Sequence, residues 1–178
     1  MDYKKINRRN FIKQSALASA SLAFMSSRIS ASTKKVPNLR LGVIGTGLRG
    51  QWMTNLCLLR NDVDIKAICD IDSEMINKTL NIIKKAGGKP PDVYKNGQHD
   101  FLNLVQRDDL DAVYIATPWE WHHPMAVAAM KQGKHVGVEC PAALKIKDLW
   151  DLVNVSEKEE KHCMLMENVC YRRDVMAV

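Results

Sequence analysis

Residues 39–50 read LRLGVIGTGLRG, and this stretch decides the fold. The apolar run 39–44 predicts a buried strand, which leads directly into the pattern G-x-G-x-x-G and then into a helical pattern. Gly45 permits a tight turn, Gly47 lets the backbone approach a pyrophosphate, and Gly50 lets the helix pack closely on the strand. The free amides and the positive dipole end of that helix would face the phosphates. The stretch therefore predicts a Rossmann-type dinucleotide site.

Asp70 ends the second predicted strand, twenty residues after Gly50. A carboxylate at this place accepts hydrogen bonds from the adenosine ribose hydroxyls and repels a 2′-phosphate. NAD is therefore favoured over NADP as the cofactor, although Arg49 would soften that preference. The alternative is a glycine-rich turn that only connects a strand to a helix. The agreement of strand, glycines, helix and acid argues against that alternative.

Apolar runs alternate with helical patterns along the rest of the chain. Strands are predicted at residues 39–44, 64–69, 112–116, 135–138 and 163–166. Helices are predicted from the glycine loop to Leu59 and at residues 73–86, 100–106, 123–132 and 146–160, with a looser stretch at 87–91. This alternation specifies an α/β fold, a Rossmann-type doubly wound parallel sheet with helices on both faces.

The first 35 residues hold eight basic side chains and one acidic, so they account for the net charge of +6. A nucleic-acid partner is not supported, because this charge lies in a leader and not on a folded face. Arg8 and Arg9 precede a weakly apolar stretch at 15–25 and small residues, which predicts a twin-arginine signal peptide over residues 1–32. We expect export to the periplasm or secretion, with no transmembrane segment in the mature chain. A basic disordered tail is the alternative.

Five cysteines are an odd number, and no Cys-x-x-Cys spacing occurs among them. Neither a disulfide framework nor a zinc site is indicated, and we expect no metal.

Aromatic and polar side chains follow two further predicted strands. Residues 116–124 read ATPWEWHHP, and residues 137–141 read GVECP. Ligands of parallel sheets lie at the carboxyl ends of the strands, so both segments are predicted to form walls of the cofactor site. The alternatives are a structural role for the histidine at 122 or 123, and a packing role for the two tryptophans.

These segments resemble the Gfo/Idh/MocA oxidoreductase superfamily, whose pattern runs Thr-Pro-x-x-x-His, Gly-Lys-His-Val and Glu-Lys-Pro. The strings WEWH, VECPAA and ENVCY are similar to one branch, glycosyl hydrolase family 109, the NAD-dependent α-N-acetylgalactosaminidases. The resemblance covers nearly everything after the leader, but only the N-terminal portion of that family. It implies a Rossmann domain over 36–167 and the start of a truncated C-terminal domain over 168–178. The second, α+β catalytic domain would then be largely absent from this chain.

The resemblance also implies which residues contact NAD, beyond the three glycines of the loop. It transfers this role to Leu48, Arg49, Asp70, Trp119, Glu120, Trp121, His122, Glu139, Cys140 and Asn168. Tyr171 is a candidate catalytic residue that would line the sugar pocket, with a packing role as the alternative; the other catalytic residues stay open.

One departure from the superfamily pattern concerns Cys140, which stands where the dehydrogenases usually have a catalytic lysine. A lysine can shuttle the hydroxyl proton during hydride transfer, and a cysteine is a poorer substitute. The hydrolase branch has a small apolar residue there, so Cys140 fits that branch better.

The activity implied is a glycosidase that does not use the paired carboxylates of most sugar hydrolases. Oxidation at sugar carbon three would acidify the proton on carbon two, and the glycosidic bond would break by elimination. Water would add to the enone, and re-reduction would regenerate NAD. This activity is expected of the full-length form, and the fragment alone is expected to be inactive. The alternatives are an exported NAD-dependent sugar dehydrogenase or oxidoreductase, and a fragment that only binds NAD. The expected partner is a small-molecule glycoside, and we expect homo-oligomers through the surface where the second domain would dock.

Overall fold

The computed structural model describes residues 37–177, so the predicted signal peptide at residues 1–32 lies outside the described residues. The strands of the described part are β1 Leu39–Ile44, β2 Val63–Cys69, β3 Asp92–Tyr94, β4 Ala112–Ile115, β5 His135–Val138 and β6 Cys163–Leu165. The helices are α1 Leu48–Leu58, α2 Ser73–Lys85, α3 Phe101–Val105, α4 Trp119–Lys131, α5 Ile146–Glu159 and α6 Arg173–Met176, and a 3₁₀ turn covers Asn168–Tyr171.

The strands form one parallel sheet in the order β3-β2-β1-β4-β5-β6. The chain first builds outward from β1 to β3 and then crosses back to place β4 on the other side of β1. This reversal opens a crevice above the carboxyl ends of β1 and β4, which is the place where such sheets bind ligands. The predicted Rossmann-type doubly wound sheet is confirmed.

Helices cover both faces of the sheet, because side chains along each strand alternate between two apolar clusters. On β1, Val43 packs in the cluster that contacts α1 and α2, whereas Ile44 packs in the cluster with α3, α4 and α5. Helix α2 shows how the sequence sets one layer. Asp72 caps it by accepting from the amides of Glu74 and Met75 at 2.8 and 3.4 Å, a common N-cap arrangement.

Two expectations about the elements are wrong. Residues 92–94 form β3, which the sequence pattern does not predict because the strand is short and partly exposed. Helix α4 begins at Trp119 and not at residue 123. Pro124 is typical of the first position of a helix, but here it lies inside the helix, and Pro118 occupies the N-cap.

Helix α5 carries an exposed apolar stripe besides its buried side chains Leu152 and Val155. The stripe consists of Ile146, Leu149, Trp150 and Val153, at helical spacing along one face. Exposed apolar surface of this kind promotes association. A homo-oligomer stays a prediction, which light scattering of the purified chain would test.

None of the helices within residues 37–177 is both long and apolar enough to span a bilayer.

Candidate functional site

The glycine loop between β1 and α1 is held by backbone contacts that leave no room for side chains at two of its positions. Gly45 has a φ of +90°, and a Cβ there would lie 2.5 Å from the carbonyl oxygen of Ala116. A Cβ on Gly50 would overlap the carbonyl oxygen of Gly45. At Gly47, by contrast, a Cβ would meet nothing within 4 Å. The loop is therefore packed tightly against β4 and α1 but is open at Gly47.

The N-terminus of α1 faces the crevice without a side-chain cap. Gly47 is the N-cap residue, and in the part of the chain that the structure describes no side chain caps the first turn. Free amides at the positive end of a helix bind anions. The arrangement thus suits a phosphate placed at the open side of Gly47.

Asp70 fastens the loop to the end of β2. Its Oδ2 accepts hydrogen bonds from the amide and the hydroxyl of Thr46, at 2.6 and 3.0 Å, and its Oδ1 accepts from the amide of Asp72 at 2.9 Å. Thr46 is fully buried. The carboxylate also lines the crevice. Its contact with a ribose stays a prediction. The glycine pattern does not predict that Asp70 holds the loop in place through its two hydrogen bonds from Thr46.

A cavity of about 600 Å³ lies above these elements. Seven of the predicted cofactor residues line it: Gly45, Gly47, Leu48, Arg49, Asp70, Glu120 and Trp121. Six others are not among its lining residues: Gly50, Trp119, His122, Glu139, Cys140 and Asn168. The cavity is also lined by Gly97 and Gln98, which follow β3 and which the sequence reasoning missed. The dipeptide Asn96-Gly97, a turn signal, could have indicated this loop.

The string WEWH at residues 119–122 occupies the first turn of α4, where successive residues point about 100° apart. Glu120 and Trp121 therefore face the cavity, whereas Trp119 is 59% exposed. Trp121 also packs edge-on against His99, with the ring centroids 5.6 Å apart. The indole thus combines the two roles, packing and lining, that the sequence left as alternatives.

His122 is buried behind the cavity wall and is only 1% exposed. Its Nδ1 lies 2.7 Å from the carbonyl oxygen of Pro141, and its Nε2 lies 2.8 Å from that of Thr117. A neutral imidazole donates to one of these carbonyls, and a protonated one donates to both. The ring thereby joins the segments that follow β4 and β5. Its direct contact with a cofactor stays a prediction.

Glu139, which follows β5, is held by two side chains. The hydroxyl of Tyr114 donates to its Oε1 at 2.6 Å, and Nε of Arg49 lies 2.9 Å from the same oxygen. The contact between Arg49 and Glu139 is an ion pair. It is too poorly aligned to be a hydrogen bond, since the Nε of Arg49 has no hydrogen-bond partner among the described residues. Burial, and next the neighbouring carboxylate, raise the pKa of Tyr114 well above its usual value. Tyr114 is therefore a neutral hydrogen-bond donor to Glu139.

Cys140 lies next to Glu139 and donates its thiol proton to Oε2 of Glu167, with an S–O distance of 3.2 Å. Burial, followed by the hydrogen bond to Glu167, raises the pKa of the thiol to about 11. The thiol is therefore protonated near neutral pH.

This protonation predicts the reactivity of Cys140, because only the thiolate is a nucleophile. We expect iodoacetamide to label Cys140 slowly at pH 8, far more slowly than the exposed Cys170, with the rate rising toward pH 11. Peptide mass spectrometry would measure both sites in one sample. Glu167→Gln removes the carboxylate, lowers the thiol pKa and should accelerate labelling of Cys140 at pH 8. Equal labelling of Cys140 and Cys170 at pH 8 would contradict the assignment.

Asn168 and Tyr171 lie in the 3₁₀ turn after the sheet. Both side chains are exposed, Tyr171 by 66%. Their roles in binding and catalysis stay predictions.

The site fits a dinucleotide. Gly47 leaves the space that a pyrophosphate needs, and within residues 37–177 no side chain caps the first amides of α1. Among residues 37–177, no group of three or more histidine, cysteine, aspartate or glutamate side chains is placed to hold a metal.

Comparison with known proteins agrees with this fit. Residues 39–167 match the model of an oxidoreductase family with an NAD-binding Rossmann fold, GFO_IDH_MocA. A glycosyl hydrolase family 109 protein of Saccharopolyspora erythraea is 47% identical over 79% of this chain and 30% of its own length. An alpha-N-acetylgalactosaminidase of Tannerella forsythia is 44% identical over 96% of this chain and 40% of its own length. The chain thus spans less than half the length of these relatives.

Solved structures share the fold. An NAD-binding protein from Listeria innocua has a TM-score of 0.65 at 25% identity, covering 77% of this chain and 37% of that one. Scyllo-inositol dehydrogenase from Lactobacillus casei, with bound NAD(H) and scyllo-inositol, has a TM-score of 0.65 at 21% identity, covering 76% of this chain and 38% of that one.

Proposed function

The chain belongs to the Gfo/Idh/MocA oxidoreductase family, and from this premise we propose that it forms the NAD-binding part of a sugar-active glycosidase. The proposed reaction is hydrolysis of an α-N-acetylgalactosaminide-like glycoside without net oxidation. It would proceed by transient oxidation of sugar carbon three, elimination of the leaving group, addition of water and re-reduction. The similarity to proteins named for this hydrolase family supports the proposal.

The observation that carries the proposal is the environment of Cys140. This residue stands where the resemblance places a catalytic lysine in the superfamily's dehydrogenases. Its thiol is bonded to Glu167, and the raised pKa of about 11 keeps it protonated. It can neither supply a cation nor accept a hydroxyl proton near neutral pH, as a lysine-based dehydrogenase requires. Oxidation at carbon three needs a base in either reaction, so that base would have to be another residue. The missing lysine favours the hydrolase branch through the resemblance, since that branch does not have a lysine at this position.

When bound, NAD would supply a reversible two-electron oxidation of the substrate. The residues of the chain would hold and orient it. The free amides of α1 would bind the pyrophosphate at Gly47, and Asp70 would contact the adenosine ribose. Glu120 and Trp121 would form the wall on the α4 side. Tight retention suits a cofactor that is regenerated in every turnover.

The proposed reaction is tested by its solvent and redox signatures together. The enzyme of which this chain is proposed to form the NAD-binding part would be incubated with NAD and p-nitrophenyl α-N-acetylgalactosaminide in deuterated water, and the free sugar examined by mass spectrometry. We expect p-nitrophenol release, deuterium at carbon two, and no accumulating absorbance of NADH. Carbon two exchanges because its proton is lost before elimination and regained when water adds.

Two other results would each reject the proposal. Accumulating NADH with an oxidised sugar indicates the dehydrogenase, and hydrolysis without deuterium at carbon two indicates direct displacement. Binding of NAD without turnover by these 178 residues alone agrees with the cofactor-binding part that we propose, whereas no turnover by the whole enzyme rejects the glycosidase.

We further propose export by the twin-arginine route to the periplasm or the exterior. The support is the Arg8-Arg9 pair with the weakly apolar stretch that follows it. Replacing both arginines with lysine should leave the precursor in the cytoplasmic fraction; unchanged export would reject this route.

A further inference from the structure

Arg49 is the one basic residue of the glycine loop, residues 45–50. Its guanidinium carbon lies 4.4 Å from the centre of the Trp52 ring, a distance typical of a cation–π contact. Its Nε lies 2.9 Å from Oε1 of Glu139. The arginine is therefore held from two sides.

The carboxylate that holds Arg49 is itself fixed from the protein interior. The Glu139 side chain is 13% exposed, and Tyr114, which donates to it at 2.6 Å, is 3% exposed. Tyr114 lies on β4, within a buried strand. These three residues form a chain of contacts from the sheet to the glycine loop, which we call the arginine anchor: Tyr114, Glu139 and Arg49.

The arginine anchor pulls the guanidinium toward one side of the crevice. Glu139 follows β5, whereas Asp70 follows β2, and β1 and β4 lie between those two strands. Three strand spacings of about 4.8 Å place the ends of β2 and β5 roughly 14 Å apart. An arginine bound to Glu139 therefore leans away from the adenosine side, where Asp70 lies.

This placement bears on the choice between NAD and NADP. The 2′-phosphate of NADP sits on the adenosine ribose, and a nearby arginine is what commonly accommodates it. On that side the cavity is lined by two carboxylates, Asp70 and Asp72. We propose that Tyr114 and Glu139 are specificity-determining residues, which exclude NADP by holding Arg49 away from the 2′-phosphate position. This inference rests on the cofactor-binding part of the proposed function and requires no turnover.

The proposal is tested by binding selectivity. Isothermal titration would give the affinities of NAD and NADP for the whole chain and for Glu139→Gln and Tyr114→Phe. In Glu139→Gln we expect the affinity for NADP relative to NAD to rise about tenfold, because the freed guanidinium can form charge-assisted bonds to the 2′-phosphate. In Tyr114→Phe, which removes one hydrogen bond to the carboxylate, we expect a rise of about threefold.

A second variant shows whether Arg49 is responsible. The double variant Glu139→Gln with Arg49→Gln should return the selectivity to that of the unchanged chain, because the freed cation is gone. Asp111→Asn is the matched control, since it weakens another close pair, Arg40 with Asp111 at 2.6 Å, at the amino ends of β1 and β4, away from the crevice. Its selectivity should not change.

Two results would overturn the proposal. One is an unchanged ratio of the NADP and NAD affinities in Glu139→Gln. This includes the case in which a loss of stability weakens the binding of both dinucleotides equally. The other is a raised selectivity for NADP that persists in the double variant. Binding of neither dinucleotide by the unchanged chain would instead reject the cofactor site itself, and a loss of glycosidase activity alone would leave these measurements unaffected.

Discussion

Gly50→Ala is expected to lower the midpoint of thermal unfolding by about 10 °C, an effect that corresponds to a loss of about 3 kcal/mol. The added methyl group would overlap the carbonyl oxygen of Gly45. Backbone cannot rotate away as a side chain can, so α1 would have to move off β1. Circular dichroism of the purified chain during heating would measure the change.

Gly47→Ala is the matched control for stability, because it makes the same chemical change three residues away. A Cβ at Gly47 meets nothing within 4 Å, and its φ of −63° suits any L residue. Its midpoint should stay within about 2 °C of the unchanged chain. If Gly50→Ala melts at the same temperature as Gly47→Ala, the close packing of α1 on the loop is wrong.

Gly47→Ala has its own large effect, which is on binding. We expect it to weaken the affinity for NAD by about 10- to 100-fold, because the methyl group takes the space through which the pyrophosphate reaches the amides of α1. One or two charge-assisted hydrogen bonds would be lost or lengthened. Isothermal titration with NAD would measure the loss.

Two further ligands show whether Gly47→Ala blocks only the pyrophosphate or distorts the whole cavity. ADP-ribose contains the pyrophosphate and should lose affinity as NAD does, whereas adenosine lacks phosphate and should bind Gly47→Ala as it binds the unchanged chain. An equal loss for adenosine would show that the methyl group distorts the whole cavity. An unchanged affinity for NAD would place the pyrophosphate elsewhere.

The sheet could be predicted from the sequence wherever a strand is buried on both faces. Residues 112–115 are all buried, and their apolar run is unambiguous. Strand β3 is different, because it has three residues, two of them exposed, and an aspartate at its start. Pairing with β2 forms this strand, and local sequence carries no signal for that partner. The sequence consequently missed Gly97 and Gln98 on the cavity wall as well.

The sequence predicts which loops form the candidate site more accurately than it predicts which side chains face the cavity. The glycine loop, Asp70 and the start of α4 do meet around one cavity. The error in the first residue of α4 mattered most, because residues 119–122 were expected to face the ligand together. On a helix they diverge, and His122 turns into the protein. The role of Tyr114 could not be predicted, since a tyrosine in an apolar strand run looks like any other core residue.

The imidazole of His122 also decides how the crevice can move. The two ring nitrogens lie 2.7 and 2.8 Å from the carbonyl oxygens of Pro141 and Thr117, so the ring fills the space between the segments after β5 and β4. These two segments should therefore move as one rigid wall. Any change in the width of the crevice must then come from the facing loop, where Gly97 and Gln98 are exposed. Amide hydrogen exchange should accordingly be slow along the first wall and fast along the second, with the difference shrinking when a dinucleotide bridges them.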